Sequence, residues 1–410
     1  MVSDGTRCRE WGHEMGTAAR WVVVGLLALH GAIHVLGAAK GLGWAEISAL
    51  KEPISRAAAF GWAAAAVLVL ASAVLVALSR PDWWWLMALT AAATSQTVIL
   101  TSWADAKAGT AANIVLLMVA GYGFLSIGPA SFHAEWNRHA ADALRIVDAP
   151  TGIVTDADLA ALPEQVARYV RRSGAVGQPH VSDFYATLHG RIRSSPDEPW
   201  MTFTGHQLNT YGPQPRRLFY IDATMKGLPV TVFHVYEQHA TMRGRLLSLV
   251  PILDAGGPEM DQGETVTMLN DLVAFAPAAL VDAPITWTTL DEHRVSAVYT
   301  VGEQTVSAQL VFDDDGDLVD FVSDDRSRAS TDGNTFTRLR WNTPLNTCRR
   351  VGGWRAATRG RAMWAAPQPE GHFSYADMVI DDITDNITDN VMEKAASTDS
   401  APLLPAAPGR

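Results

Sequence analysis

Cysteine is nearly absent. Cys8 and Cys348 are the only two in 410 residues, which excludes a disulfide framework and a cysteine metal site. Basic charge is in deficit as well: 32 Lys and Arg stand against 43 Asp and Glu, for a formal net charge of −11. A nucleic-acid partner would want a basic patch, so none is expected. Catalytic signatures are also missing. No GxSxG elbow, Walker loop, HExxH or paired CxxC occurs, so no enzyme class is indicated, a non-enzymatic role is expected, and no cofactor is implied. Charge is scarcest between Trp21 and about Ile127, whereas from His133 onward it recurs every few positions. The chain reads as a membrane part followed by a soluble part, within the roughly two or three domains that its length suggests.

Four apolar runs fill the membrane part, at 21–39, 57–79, 83–103 and 109–127. Each approaches the roughly 20 residues that cross a bilayer core, so four transmembrane helices in a domain over 21–127 are expected, after a tail over 1–20. Trp21, the Trp83–Trp85 triplet and Trp103 stand at run ends, where indole rings prefer the headgroup zone. The first run is longer than a signal-peptide core, and three more follow it. An even number of spans puts both chain ends on one side. Arg7, Arg9, Arg20, Arg80, Arg138 and Arg145 fall there, against Lys40, Lys51, Arg56 and Lys107 opposite. The positive-inside rule then predicts a multi-pass plasma-membrane protein with a cytoplasmic soluble domain, although a start at Met15 instead of Met1 would remove two of those arginines.

Within these runs lie a few polar residues. His30 and His34 are four apart, on one helical face. Gln96 precedes Trp103 and Asn113 follows Lys107, each by a distance that sets it about 10 Å inside the same leaflet at about 1.5 Å per residue. Asp105 belongs to the turn between them, "SWADAKAGTAANI". A polar cluster of His30, His34, Gln96, Asp105 and Asn113 is expected in the leaflet opposite the chain ends, with hydrogen bonds between helices as its main role. Two histidines at that spacing could ligate a metal or separate haems, but no third or fourth ligand is evident in the sequence, so hydrogen bonding is the expected role. The motifs "HGAIHVLG" and "SQTVILTSWADAKAGTAANI" resemble the small DoxX-like membrane proteins, some of which are linked to redox chemistry. That resemblance implies an alternative reading, a membrane enzyme with a redox or cofactor site in the bundle.

Residues 128–154 read as a connector. "TDADLAALPEQVARYVRRSG" then places Leu159, Leu162, Val166 and Tyr169 at helical spacing, with Gly174 as a stop. From about Asp183 the period becomes two. Strand-like segments, among them "LPVTVFHVYEQH" and "ATMRGRLLSLVPI", follow one another between turn residues. A large curved antiparallel sheet with a few helices, an α+β domain over 155–385, is expected. Between two blocks of strands lies the helix "MDQGETVTMLNDLVAFAPAAL", where Asp261 and Glu264 read as a cap. "FDDDGDLV" reads as a hairpin turn and not a calcium loop, since Val311 and Val322 stand where acids are needed.

"LVPILDAGGPEMDQGE", "FDDDGDLVDFVSDDR" and "WNTPLNTCRRVGGWRAATRGRAMW" resemble an uncharacterised bacterial family over about 150–385. Its layout is similar to the LolA/LolB-like lipoprotein-carrier half-barrel, in which a sheet wraps a helix and shelters an acyl chain. The resemblance implies a membrane-anchored binding protein for a lipid or other hydrophobic small molecule, each sheltered CH2 contributing about 0.8 kcal/mol. Trp200, Phe203, Phe219, Phe233, Trp287, Trp341 and Trp364 are the candidate liners, and Arg243, Arg245 and Arg326 the candidate headgroup ligands. A protein-interaction module at the membrane is the third reading. The tail over 391–410, rich in Ala, Pro and Ser, is expected to be disordered.

Overall fold

The computed structural model describes residues 17–79, 82–147, 151–330, 335–351 and 354–387. Both expected tails fall outside these, apart from the last few residues of the first. Four long helices form the bundle: α1 (Thr17–Gly41), α2 (Arg56–Leu78), α3 (Trp84–Thr101) and, after the single turn α4 (Trp103–Ala106), α5 (Gly109–Ser126). Ser55 caps α2, its Oγ accepting from the amide of Ala58 at 3.2 Å. Buried alanines, including Ala59, Ala65 and Ala66 of α2 and Ala88, Ala91 and Ala92 of α3, let the backbones approach. By length and composition α1, α2 and α5 can cross a membrane. The third expected span differs: α3 is helical and packs between α2 and α5, but Thr90, Thr94, Ser95, Gln96 and Thr97 dilute its hydropathy.

The connector contains a helix, α6 (Phe132–Arg145), capped by Ser131 through Ala134 N at 3.0 Å. Its apolar stripe, with Phe132, Trp136 and Ala140, packs on one face of the sheet against Leu218, Tyr220 and Phe233. The next expected helix is shorter than its pattern. Pro163 supplies no amide and divides it into a 3-10 turn at Asp158–Ala161 and α7 (Glu164–Ser173).

The strands are β1 (Asp183–Ile192), β2 (Met201–Thr210), β3 (Arg216–Met225), β4 (Leu228–Tyr236), β5 (Ala240–Leu246), β6 (Val250–Gly256), β7 (Ile285–Thr289), β8 (Arg294–Val301), β9 (Gln304–Phe312), β10 (Leu318–Ser323), β11 (Ser327–Ala329), β12 (Phe336–Arg338), β13 (Arg340–Asn342), β14 (Leu345–Val351), β15 (Trp354–Ala365) and β16 (His372–Asp385). A 14-stranded sheet runs in the order β6-β5-β4-β3-β2-β1-β16-β15-β13-β10-β9-β8-β7, with β14 on β15, while β11 and β12 pair separately. The sheet is antiparallel throughout and does not close, as expected of a half-barrel. "FDDDGDLV" turns between β9 and β10 with Gly316 at φ +88. "ATMRGRLLSLVPI" is two strands instead of one. Its turn passes through Leu247 and Ser248 at φ 54 and 57, conformations that usually need Gly or Asn and so left no signal in the sequence.

The remaining helix, α8 (Pro258–Phe275), lies against the inner face of the sheet, where Val266, Met268, Leu269, Leu272 and Val273 join the main core. Thirteen of its eighteen residues are buried, so it is a centrepiece and not a surface lid. The capping role expected for Asp261 and Glu264 is not what they do. Gly257 is the N-cap and makes no side-chain bond. Asp261 instead accepts from the amide of Ala240 at 2.5 Å, tying the helix to β5, and Glu264 faces two arginines inside the sheet.

Candidate functional site

The α1 spacing puts His30 and His34 on the buried side of the helix, at 4% and 1% exposure, with ring centroids 4.6 Å apart. Gly109 makes room for Ile99, since a Cβ there would lie 2.8 Å from its Cδ1, while the His30 imidazole would be in ordinary contact at 3.5 Å. Gly37 admits Trp62, whose ring would stand 2.4 Å from an added Cβ. The indole is thereby held 5.0 Å from His34, centroid to centroid.

A hydrogen-bond chain crosses the bundle. Gln96 Nε2 donates to Thr110 Oγ1 at 3.2 Å, and Asn113 Nδ2 donates to Gln96 Oε1 at 2.9 Å. Asn113 Oδ1 is therefore an acceptor. It takes the Ser95 hydroxyl at 2.7 Å and lies 3.0 Å from His30 Nε2, which must carry a proton. Ser95 has spent its one proton on Asn113, so its oxygen accepts from His34 Nε2 at 2.7 Å. With Nε2 protonated, neutral His34 presents a bare lone pair at Nδ1. That nitrogen is buried without a partner, and so is the Nε1–H of Trp62.

Both residues line a cavity of about 390 Å³. Its other walls are mostly aliphatic, including Leu29, Ile33, Leu50 and Ile99. Asp105 also lines it, and accepts from the amides of Lys51 and Glu52 at 2.5 and 2.7 Å, stapling the α1–α2 loop across the bundle end. Lys40 holds the same loop through the carbonyls of Leu50 and Glu52. The structure thus brings together His30, His34, Gln96 and Asn113, with Asp105 at the margin. Sequence reasoning missed Ser95, Thr110 and Trp62. A serine beside Gln96 was a usable signal; the Gly37–Trp62 approach left none.

The aromatic residues singled out in the sheet domain do not converge. Phe203, Trp341 and Trp364 are buried in the main core, with Phe219 and Trp287 partly buried against it. Trp341 Nε1 donates to the hydroxyl of Tyr375 at 3.1 Å, and Trp364 stacks on that ring. Phe233 lies on the opposite face, under α6. Trp200 is covered by the guanidinium groups of Arg191 and Arg193, 4.4 and 4.3 Å from its centroid. Arg243 pairs with Glu135 of α6 at 2.5 Å, Arg245 reaches the carbonyl of Ala130 at 3.3 Å, and Arg326 turns inward to Glu264 at 3.3 Å.

Between α8 and the sheet lies a buried charge network. Asp271 Oδ2 accepts from Arg217 Nε and Gln207 Nε2, both at 2.7 Å, and from Asn209 at 3.2 Å. Glu264 accepts from Arg217 at 3.2 Å. Two carboxylates thus meet two guanidinium groups. His234, 3.5 Å from Glu264, is pushed down to about 4 by burial first and the arginines second, so it adds no charge at neutral pH. Balanced in this way, the network fastens α8 by ionic contacts where an acyl chain would need an apolar wall. Among the described residues no group of three or more His, Cys, Asp or Glu could hold a metal ion.

No curated protein matches this chain. Two solved structures are similar over the larger part of their own lengths. A domain described as an outer membrane lipoprotein-sorting protein from Vibrio parahaemolyticus is 12% identical with a TM-score of 0.30, covering 52% of this chain and 90% of that one. A LolA-superfamily protein from Nitrosomonas europaea is 10% identical with a TM-score of 0.31, covering 58% and 97%. The family match begins only at residue 152, so the DoxX-like resemblance of the bundle lies outside it. Residues 152–378 match a family of unknown function, DUF6544, and the chain belongs to that family.

Proposed function

We propose that this chain is a multi-pass membrane protein, with α3 as its fourth span, that binds a hydrophobic small molecule carrying an uncharged hydroxyl in the bundle cavity. One observation carries the reading: an acceptor, His34 Nδ1, and a donor, Trp62 Nε1–H, both buried and unpartnered in a mostly aliphatic cavity. Each such group costs on the order of 1–3 kcal/mol if left unmet. A hydroxyl meets both, donating to the imidazole and accepting from the indole. A carboxylate offers the imidazole no proton, and an ammonium offers the indole no acceptor. The volume lies within the range of about 300–1,000 Å³ found for small-molecule sites. Leu26, Leu29, Ile33 and Leu36 line the cavity and are also exposed on the outside of the bundle, which favours entry from the bilayer. The six arginines counted in the sequence on the side of the chain ends, against Lys40, Lys51, Arg56 and Lys107 opposite, favour a cytoplasmic sheet domain.

The test is binding of 4-nonylphenol and of its methyl ether to the full chain in detergent. The ether can accept but cannot donate, so it is expected to bind about ten-fold more weakly, the equivalent of roughly 1.4 kcal/mol. His34→Phe should abolish that discrimination, and Trp62→Phe should weaken both ligands. Equal binding of the two compounds, or discrimination that survives His34→Phe, overturns the proposal. A lipid that co-purifies and survives both substitutions would return the ligand to the half-barrel.

A further inference from the structure

The sheet domain exposes few large hydrophobic side chains, and they are not scattered. Among the described residues after 150, eight are exposed: Ile153, Leu228, Leu247, Leu249, Val250, Ile252, Leu290 and Val298. Five of these eight lie at two adjoining turns, β3–β4 and β5–β6, joined where Leu247 N donates to Pro229 O at 2.9 Å. Leu249 is 63% exposed at the tip. An apolar cluster of this kind on a soluble face marks a contact surface.

The place of the cluster names its partner. Ser248, at the centre of the β5–β6 turn, lies with its hydroxyl 3.1 Å from that of Ser126, the last residue of α5. Helix α5 is long and apolar enough to cross a membrane, and its outer side chains Ile114, Leu117, Met118 and Phe124 are exposed. Trp21 and Trp83, also exposed, mark the same end of the bundle. The turn therefore stands at the depth where the apolar surface of the helices gives way to headgroups. Lys226, exposed beside Leu228, supplies a cation at that level. Leu247, in the left-handed backbone of the turn, leaves its side chain 38% exposed.

We propose that the β5–β6 turn is a membrane-contacting wedge, which lays Leu247, Leu249, Val250 and Ile252 into the headgroup–acyl boundary of the leaflet where α5 ends. The partner is the lipid surface itself, and the wedge holds the sheet domain against the bilayer independently of any ligand in the bundle. This proposal does not rest on the bundle cavity, and its test does not read ligand binding.

The experiment uses the full chain, with Cys8→Ser and Cys348→Ser, in nanodiscs of phosphatidylcholine and phosphatidylglycerol. An environment-sensitive nitrobenzoxadiazole label is placed at Leu249→Cys, at Ile252→Cys, or at the exposed Thr288→Cys on the β7 edge. Labels at 249 and 252 are expected to emit to the blue of the label at 288, and to be quenched by lipids bearing a nitroxide near the headgroup. Emission at 249 and 252 matching that at 288 overturns the proposal. A blue shift without nitroxide quenching also overturns it, because a protein surface and not lipid then covers the turn.

Discussion

Replacing Arg217 with methionine separates a structural from a ligand-binding role for the inside of the half-barrel. The guanidinium is 7% exposed and bonds Asp271 at 2.7 Å and Glu264 at 3.2 Å, carboxylates only 6% and 3% exposed. Arg217→Met keeps the aliphatic stem but leaves Asp271 with two amides, Gln207 and Asn209, and Glu264 with Arg326. Breaking a buried pair from one side costs about 3–5 kcal/mol, most of it the burial of an uncompensated charge. Burial already pushes the Asp271 carboxyl up from its ordinary range, against the pull of Arg217. Without that pull the folded state takes up a proton, so the loss is smaller at pH 5 than at pH 8. Adding Asp271→Leu removes the stranded charge, and the double variant should recover up to about 3 kcal/mol relative to the sum of the single changes. Denaturant unfolding of the full chain in micelles reads this, with the buried Trp341 and Trp364 reporting on the sheet core. If Arg217→Met unfolds within about 0.5 kcal/mol of the parent, the network is not what holds α8. If it also sheds a co-purified ligand, the half-barrel is the binding site.

Docking of α6 should be pH-dependent. His139 is raised from 6.5 to about 9 by Glu135 first and Glu237 second, so its contribution is complete below pH 6.5 and lost as pH rises through 9. Glu135 is lowered from 4.5 to about 2, chiefly by His139, so its contribution is complete above pH 4.5 and lost as pH falls through 2. Trp136 fluorescence should therefore report tightest packing between these limits, and His139→Gln should flatten the alkaline limb; an alkaline limb unchanged in that variant refutes the assignment. Asp385 is raised from 3.8 to about 8, by burial first and then Asp183 and Asp382, so the fold should lose stability as pH rises between those values. Asp385→Asn should stabilise the chain at pH 8 and scarcely alter it at pH 4, measured by thermal unfolding at both. Gly37→Ala drives a Cβ into the Trp62 ring and should cost about 1–3 kcal/mol through overpacking, while displacing the indole from His34 and weakening retention of the phenol.

Periodicity and apolar length were legible in the residues themselves. Alternation marked out β1 to β4 and β7 to β10, Gly316 marked the acidic hairpin turn, and helical spacing put His30 and His34 on one face. Those are local properties, set by side-chain period and turn chemistry within a few residues. The failures were also local in form but tertiary in cause. Asp261 and Glu264 have the spacing of a capping box, yet Ala240 N and Arg217, distant in sequence, hold them more strongly than the helix end does. Leu247 and Ser248 turn the chain without turn residues because strand pairing on both sides imposes it.

The sequence by itself determined that the chain has an apolar helical part and an antiparallel sheet part, and that His30, His34, Gln96 and Asn113 lie within the first. Only the tertiary structure decided what those residues meet. The bonding state of His34 depends on a proton spent by Ser95 on Asn113, through contacts that span 61 and 18 residues of sequence. Trp62 faces it because Gly37 leaves room. Likewise the fate of each inward-facing charge was settled by which strand crossed α8 at its height. A side chain's surroundings are fixed by packing between distant segments, and no local pattern carries that information.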